Sequence, residues 1–221
     1  MKTIIAILMI TMGLAEASFA QTVNWRSLRN DQHNLVRVDF GYDYGVTTQL
    51  SYHRSMTIIR PALVGLDFSM PMGGNLLDDF KVRLGGQVEL FENNGFSTSV
   101  RIQGVFRRFQ NDFVRIVSFG SDFGLVAGYY SQTWHAAGEF GFDKSITTHL
   151  KHSEVLKSYI PDIKDGWYIP TGGHFYYGVQ GSKTLVTNLD LSLRVGATKA
   201  QFNDKDAALP AYLQLGLGMQ F

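Results

Sequence analysis

The residues with the most obvious chemistry fall in one run, Thr148-His149-Leu150-Lys151-His152-Ser153-Glu154. A histidine beside a hydroxyl and a carboxylate is the set that activates a nucleophile, the imidazole taking the hydroxyl proton while the acid orients it. On an extended chain the spacing works against this. Neighbouring strand residues point to opposite faces, so His152 and Ser153 cooperate only where a loop turns one of them. The plainer reading is a polar strand end in water. A second group is acidic: Asp78, Asp79, Asp162 and Asp165. Carboxylates with water hold calcium, and paired aspartates near a histidine activate water, but the spacing matches no calcium loop. Solvated loop charge is again the simpler account. The six histidines show no zinc spacing, and with no cysteine there is neither a thiolate ligand nor a thiol nucleophile. Met72-Gly73-Gly74-Asn75 and Thr171-Gly172-Gly173-His174 lack the helix and lysine of a phosphate loop. No cofactor and no metal is expected, and nothing here commits the chain to catalysis.

A third set of charges is spread through the chain at even spacing. Arg37, Asp39 and Asp43 alternate with Val36, Val38, Phe40, Tyr42 and Tyr44. Lys81, Arg83, Gln87 and Glu89 alternate with Phe80, Val82, Leu84, Val88 and Leu90. Asp67, Arg101, Arg107, Asp122, Glu139, Asp143, Asp190 and Arg194 sit in similar runs, always opposite the greasy face. The last segment, Tyr212 to Phe221, has Leu213, Leu215, Leu217, Met219 and Phe221 on one face and Gln214, Gly216, Gly218 and Gln220 on the other. Strict alternation is the period of a β-strand with two unlike faces. Asn93-Asn94-Gly95 is a strong hairpin turn.

These strands need an environment that tolerates both faces. The N-terminus has Lys2, an apolar run from Ile4 to Leu14 and a small-residue ending at Ser18-Phe19-Ala20, the pattern of a secretory signal cleaved after Ala20. With 20 basic and 19 acidic residues the net charge is +1, so no nucleic-acid partner is expected. Past the signal, no stretch approaches the ~20 apolar residues of a membrane helix. A membrane protein of this kind must therefore be a closed barrel. Alternation alone would suit a soluble sandwich equally well. The connections separate the two: turns at 56–58, Asn93–Gly95, Ser131–Thr133 and Val186–Asn188 fall on one side, and longer loops at 71–79, 152–172 and 199–208 on the other. The expected fold is all-β, a transmembrane antiparallel up-and-down barrel of about ten strands, with a margin of two either way. Its organisation reads as a signal peptide at 1–20, a periplasmic N-terminal tail at 21–34 and the barrel at 35–221.

The terminal strand resembles that of bacterial outer-membrane β-barrel proteins, whose assembly signal here falls on Gln214, Gly216, Met219 and Phe221. Met219 departs from the aromatic that is commoner at its place. The resemblance implies a cell outer membrane address, insertion by the barrel assembly machinery, and contact with outer-membrane lipid and lipopolysaccharide. In a barrel the charged faces turn inward, so Arg37, Asp39, Asp67, Arg83, Glu89, Arg101, Glu139, Asp143, Asp190 and Arg194 form a luminal charge network. Barrels of about eight strands are just filled by side chains, which favours a largely closed lumen and a structural or surface-interaction role. Two alternatives stand beside it. One is a narrow, porin-like pore for small solutes; the other is a rim hydrolase acting as lipid A deacylases or omptin-like proteases do. Arg115 and Lys144 break the lipid-facing pattern and are expected at headgroup level.

Overall fold

The computed structural model describes residues 23–29, 33–57, 59–73, 77–170, 172–202 and 210–221. The segment expected to be a signal peptide, and parts of the expected tail and of the 71–79 and 199–208 loops, lie outside the described residues. The strands are β1 (Asn34–Tyr42), β2 (Val46–Thr57), β3 (Pro61–Pro71), β4 (Asp79–Asn93), β5 (Phe96–Gln110), β6 (Val114–Tyr130) and β7 (Trp134–His152). After a one-turn-and-a-half helix α1 (Glu154–Tyr159) come β8 (Gly166–Tyr168), β9 (His174–Val186), β10 (Leu189–Ala200) and β11 (Ala211–Gln220). Ten of these form a closed antiparallel barrel, sealed where β1 pairs β11 from Leu35↔Gln220 to Tyr42↔Leu213. The eleventh, β8, lies outside the ring on the upper half of β7, pairing at Thr148–Leu150. We call the end where β1 starts and β11 finishes the inner end and the opposite one the outer end.

Closure leaves no sheet edge, so the wall satisfies its own backbone donors and acceptors. Side chains then sort by parity. Lys81, Arg83, Arg101 and Asp122 are fully buried inside, while Leu84 and Ile102 on the same strands are 63% and 55% exposed outside. This polarity is inverted relative to a water-soluble protein, whose charged residues stay outside unless paired. A row of rings crosses the outer half of the wall over β3–β6 and β8: Phe68–Phe80 at 5.7 Å, Phe80–Phe106 at 5.8 Å, Phe106–Phe119 at 5.2 Å and Phe119–Trp167 at 6.3 Å between centroids. Tyr129 and Trp134 meet as tilted rings near the inner end. Aromatic girdles of this kind mark the two membrane interfaces of a barrel.

Three features differ from the parity reading or go beyond it. Tyr44 does not continue the outward face of β1. The strand stops at Tyr42, and in the 43–45 turn the Tyr44 ring folds inward between Lys81 and Arg107, each 4.7 Å from its centroid. Two outer connections, 43–45 and 111–113, are as short as the inner turns. Within the 21–34 segment, Val23, Trp25 and Leu28 are buried with Leu35, Leu63, Val126, Tyr130 and Ala137. Asn24 Nδ2 donates to the Ser131 carbonyl (2.9 Å), Arg26 Nη1 to that of Tyr130 (3.2 Å), and Gln220 Nε2 to Ser27 Oγ (2.9 Å). The described part of this segment, ending in a 3-10 turn at Ser27–Arg29, packs into the inner end as an apolar seal.

Candidate functional site

The interior is organised around two arginines. Arg101 on β5 bonds both carboxylate oxygens of Asp122 on β6 at 3.4 Å, and its Nη2 also meets Tyr176 Oη from β9. Tyr176 in turn donates to Asp122 Oδ1 at 2.9 Å. Arg194 Nε on β10 donates to Glu139 Oε1 on β7 at 2.6 Å, its Nη1 donates to Gln214 on β11, and Tyr212 Oη donates to the same glutamate oxygen at 2.7 Å. The Arg194 guanidinium lies 4.2 Å from the Tyr212 ring centroid. Tyr176 also stands between Arg101 and Arg194, 5.7 and 5.8 Å from them, and so links the two sets. Six consecutive strands, β5–β7 and β9–β11, are thus tied on their luminal side by two sets of charge-assisted bonds, the stronger class of hydrogen bond, with the Tyr176 ring between them.

Small residues make this belt possible. Gly141 is the ladder partner of Tyr176, and a Cβ there would collide with the tyrosine ring. Gly216, in the terminal motif, leaves room for Asp39 Oδ1, which accepts from Arg37 at 2.6 Å.

On the β2–β5 side of the lumen, His53 Nε2 lies 3.1 Å from Asp67, and Gln103 donates to the same carboxylate at 3.0 Å. Arg83 faces Asp67 across the β3–β4 ladder. Ser97 donates to Glu89, while Thr184 and Gln220 both donate to Asp190, each bond 2.6 Å. Toward the outer end, Lys81 pairs Asp43 at 3.7 Å and Arg107 pairs Asp79 at 3.6 Å. All ten residues read as the luminal network, Asp143 included, are buried in the interior. The sequence reading omitted Tyr176 and Tyr212 from it. Their parity shows that they face inward, but a tyrosine in a barrel also suits the lipid interface, so type alone does not single them out.

A polar, ion-paired interior inside an apolar outer wall decides the class. The protein is built as a transmembrane-type antiparallel β-barrel.

The residues considered for hydrolysis are separated in this barrel. His149 points outward against the Trp167 ring at 4.9 Å. Ser153 caps α1, its hydroxyl accepting from the Leu156 N–H. His152 points inward, its Nδ1 2.9 Å from Asp165 Oδ1, which also accepts from the His152 N–H at 2.8 Å; Lys157 reaches the other carboxylate oxygen at 3.0 Å. One aspartate thus ties the loop after β7 back to its strand. Asp79 is engaged with Arg107, away from Asp165, and the described residues contain no group of three or more metal-ligating side chains.

No protein-family model matches the chain, and no curated protein does. Among solved structures, the KdgM porin in complex with disordered oligogalacturonate aligns over 85% of this chain and 99% of its own, at 9% identity and a TM-score of 0.41. The outer membrane protease OmpT from Escherichia coli aligns over 92% and 99%, at 8% identity and 0.43.

Breaking a buried pair leaves a charge uncompensated, at a cost of about 3–5 kcal/mol. Arg194→Leu should therefore lower barrel stability by that order in urea unfolding, and adding Glu139→Gln should recover part of it. Equal stabilities for wild type and Arg194→Leu would show that the belt contributes nothing. The outer loop supplies a pH test. The His152 N–H and the Lys157 ammonium hold the Asp165 carboxyl well below the usual carboxylate range. A depressed folded value means that the tether is complete above the ordinary aspartate pKa of about 3.9 and fails only as pH falls through the lower folded value. Proteolysis of the 153–170 loop should stay slow at pH 5, and Asp165→Asn should make it fast at neutral pH. Unchanged cleavage of that variant would contradict the tether.

Proposed function

We propose that the chain resides in the bacterial outer membrane as a closed barrel with a structural or surface-interaction role, working through its outer loops and lipid-facing wall rather than through its lumen. The observation behind this reading is the filled interior: fully buried ion pairs between near-neighbour strands and an apolar seal of Val23, Trp25 and Leu28 at the inner end. Ten strands lie near the size at which side chains just fill a barrel. The start of β1 and the end of β11 sit together at the inner end, which in this reading faces the periplasm. The terminal residues Gln214, Gly216, Met219 and Phe221 would be the handle for the barrel assembly machinery, and a leader over 1–20 the export signal. Strands β5–β7, of 15, 17 and 19 residues, exceed the ~9–11 needed to span the hydrocarbon, so their outer ends would project past the surface.

Planar-bilayer conductance of the refolded mature chain tests this, with folding verified by heat-modifiable gel migration. The expected result is electrical silence from folded, inserted protein. Discrete, reproducible steps would replace the closed reading with the narrow-pore one.

A further inference from the structure

Inside the barrel cations are set beside carboxylates, but one group outside it is arranged differently. Arg115 and Lys151 are directly opposed across the β6–β7 ladder, both outward and exposed. Arg108 shares that outer face. It pairs with Val117, two residues along β6 from Arg115, which places the two arginines on a diagonal of roughly 7–8 Å. Arg108 Nη2 donates to the neutral Gln110 side chain at 2.9 Å, and none of the three cations makes an ion pair with a described residue. Like charges directly opposed destabilise an antiparallel ladder. An arrangement that concentrates them calls for an anion from outside the chain.

The depth of the patch says which anion. The aromatic row lies immediately on its membrane side: Phe106 is two residues from Arg108, Phe119 four from Arg115, and Trp167 pairs with His149, two from Lys151. A girdle marks the interface, so the three cations stand at headgroup level in the outer leaflet. Two planar guanidinium forks suit bidentate phosphate binding, and the lysine adds a point charge. We propose that Arg108, Arg115 and Lys151 bind the phosphate groups of an anionic outer-leaflet glycolipid. This rests on the outer-membrane reading above. Lys144, expected at headgroup level with Arg115, is outward but half-buried, opposite Ser121, on the membrane side of Trp167, and stands apart from the cluster.

The test uses the full mature chain refolded in neutral detergent, titrated with bis-phosphorylated lipid A and with the same lipid dephosphorylated, following tryptophan fluorescence and the heat-modifiability transition. The phosphorylated lipid should bind at least tenfold more tightly. Arg115→Gln with Lys151→Gln should weaken it by on the order of tenfold per cation removed, while Lys144→Gln leaves it unchanged. Equal binding of the dephosphorylated lipid, or an unaffected double variant, would overturn the proposal. Equally tight binding of free polyphosphate would overturn the lipid assignment. The double variant should remain silent in bilayers, so failure of the lipid site and failure of the closed-lumen reading give separate signals. Recovery of wild type as a soluble protein without detergent would sink both.

Discussion

A guanidinium taken out of water costs several kcal/mol unless a carboxylate and further hydrogen bonds meet it, and this interior encloses Arg37, Arg83, Arg101, Arg107 and Arg194. The rest of the barrel can be understood as the means of meeting that demand. The wall must close so that its backbone is satisfied in lipid, and closure traps whatever the inward parity presents. With ten strands there is little room for bulk water, so compensation comes from other side chains. Arg101 is met by Asp122 and Tyr176, and Arg194 by Glu139, Gln214 and an aromatic face.

The glycines and tyrosines follow from the same constraint. Tyrosine reaches over its neighbouring strands with a rigid ring and ends in a hydroxyl that serves a carboxylate, and each such ring needs an empty place on the strands it passes. Gly141 supplies it for Tyr176, and Gly196 and Gly178 do so for Tyr212. Gly216 does the same for the Arg37–Asp39 pair, which gives a residue of the terminal motif a structural task of its own. At the inner end, where the polar layer thins, the chain folds an apolar segment back to keep water out.

Alternation made the wall legible. A sheet between lipid and a polar interior writes a period of two onto every strand, so the inward charges from Arg37 to Arg194 could be assigned to a face before any coordinates. Their partners could not. Glu139 and Arg194 are far apart in sequence and meet only through the registers of β7, β9 and β10. Parity also ends where a strand ends, which is why Tyr44 turns inward against the alternation of β1. The seal at 23–29 has no strand period, and β8 is three residues long. At Ile146 a bulge shifts the β6–β7 register, so parity alone does not carry through to His149 and His152. The separation of His149 from Ser153 depends on that bulge and on a helix cap.

The central claim is that the lumen is closed by its own side chains. The chain lacks cysteine, so single introduced thiols report cleanly on access. Ser99→Cys lies in the lumen beside Gln87, and Ser158→Cys lies on exposed α1. With a charged, water-soluble thiol reagent applied to the folded barrel, Ser158→Cys should react quickly, and Ser99→Cys should react only after unfolding. Rapid labelling of Ser99→Cys in a barrel shown to be folded would mean an open, hydrated interior and would contradict the account.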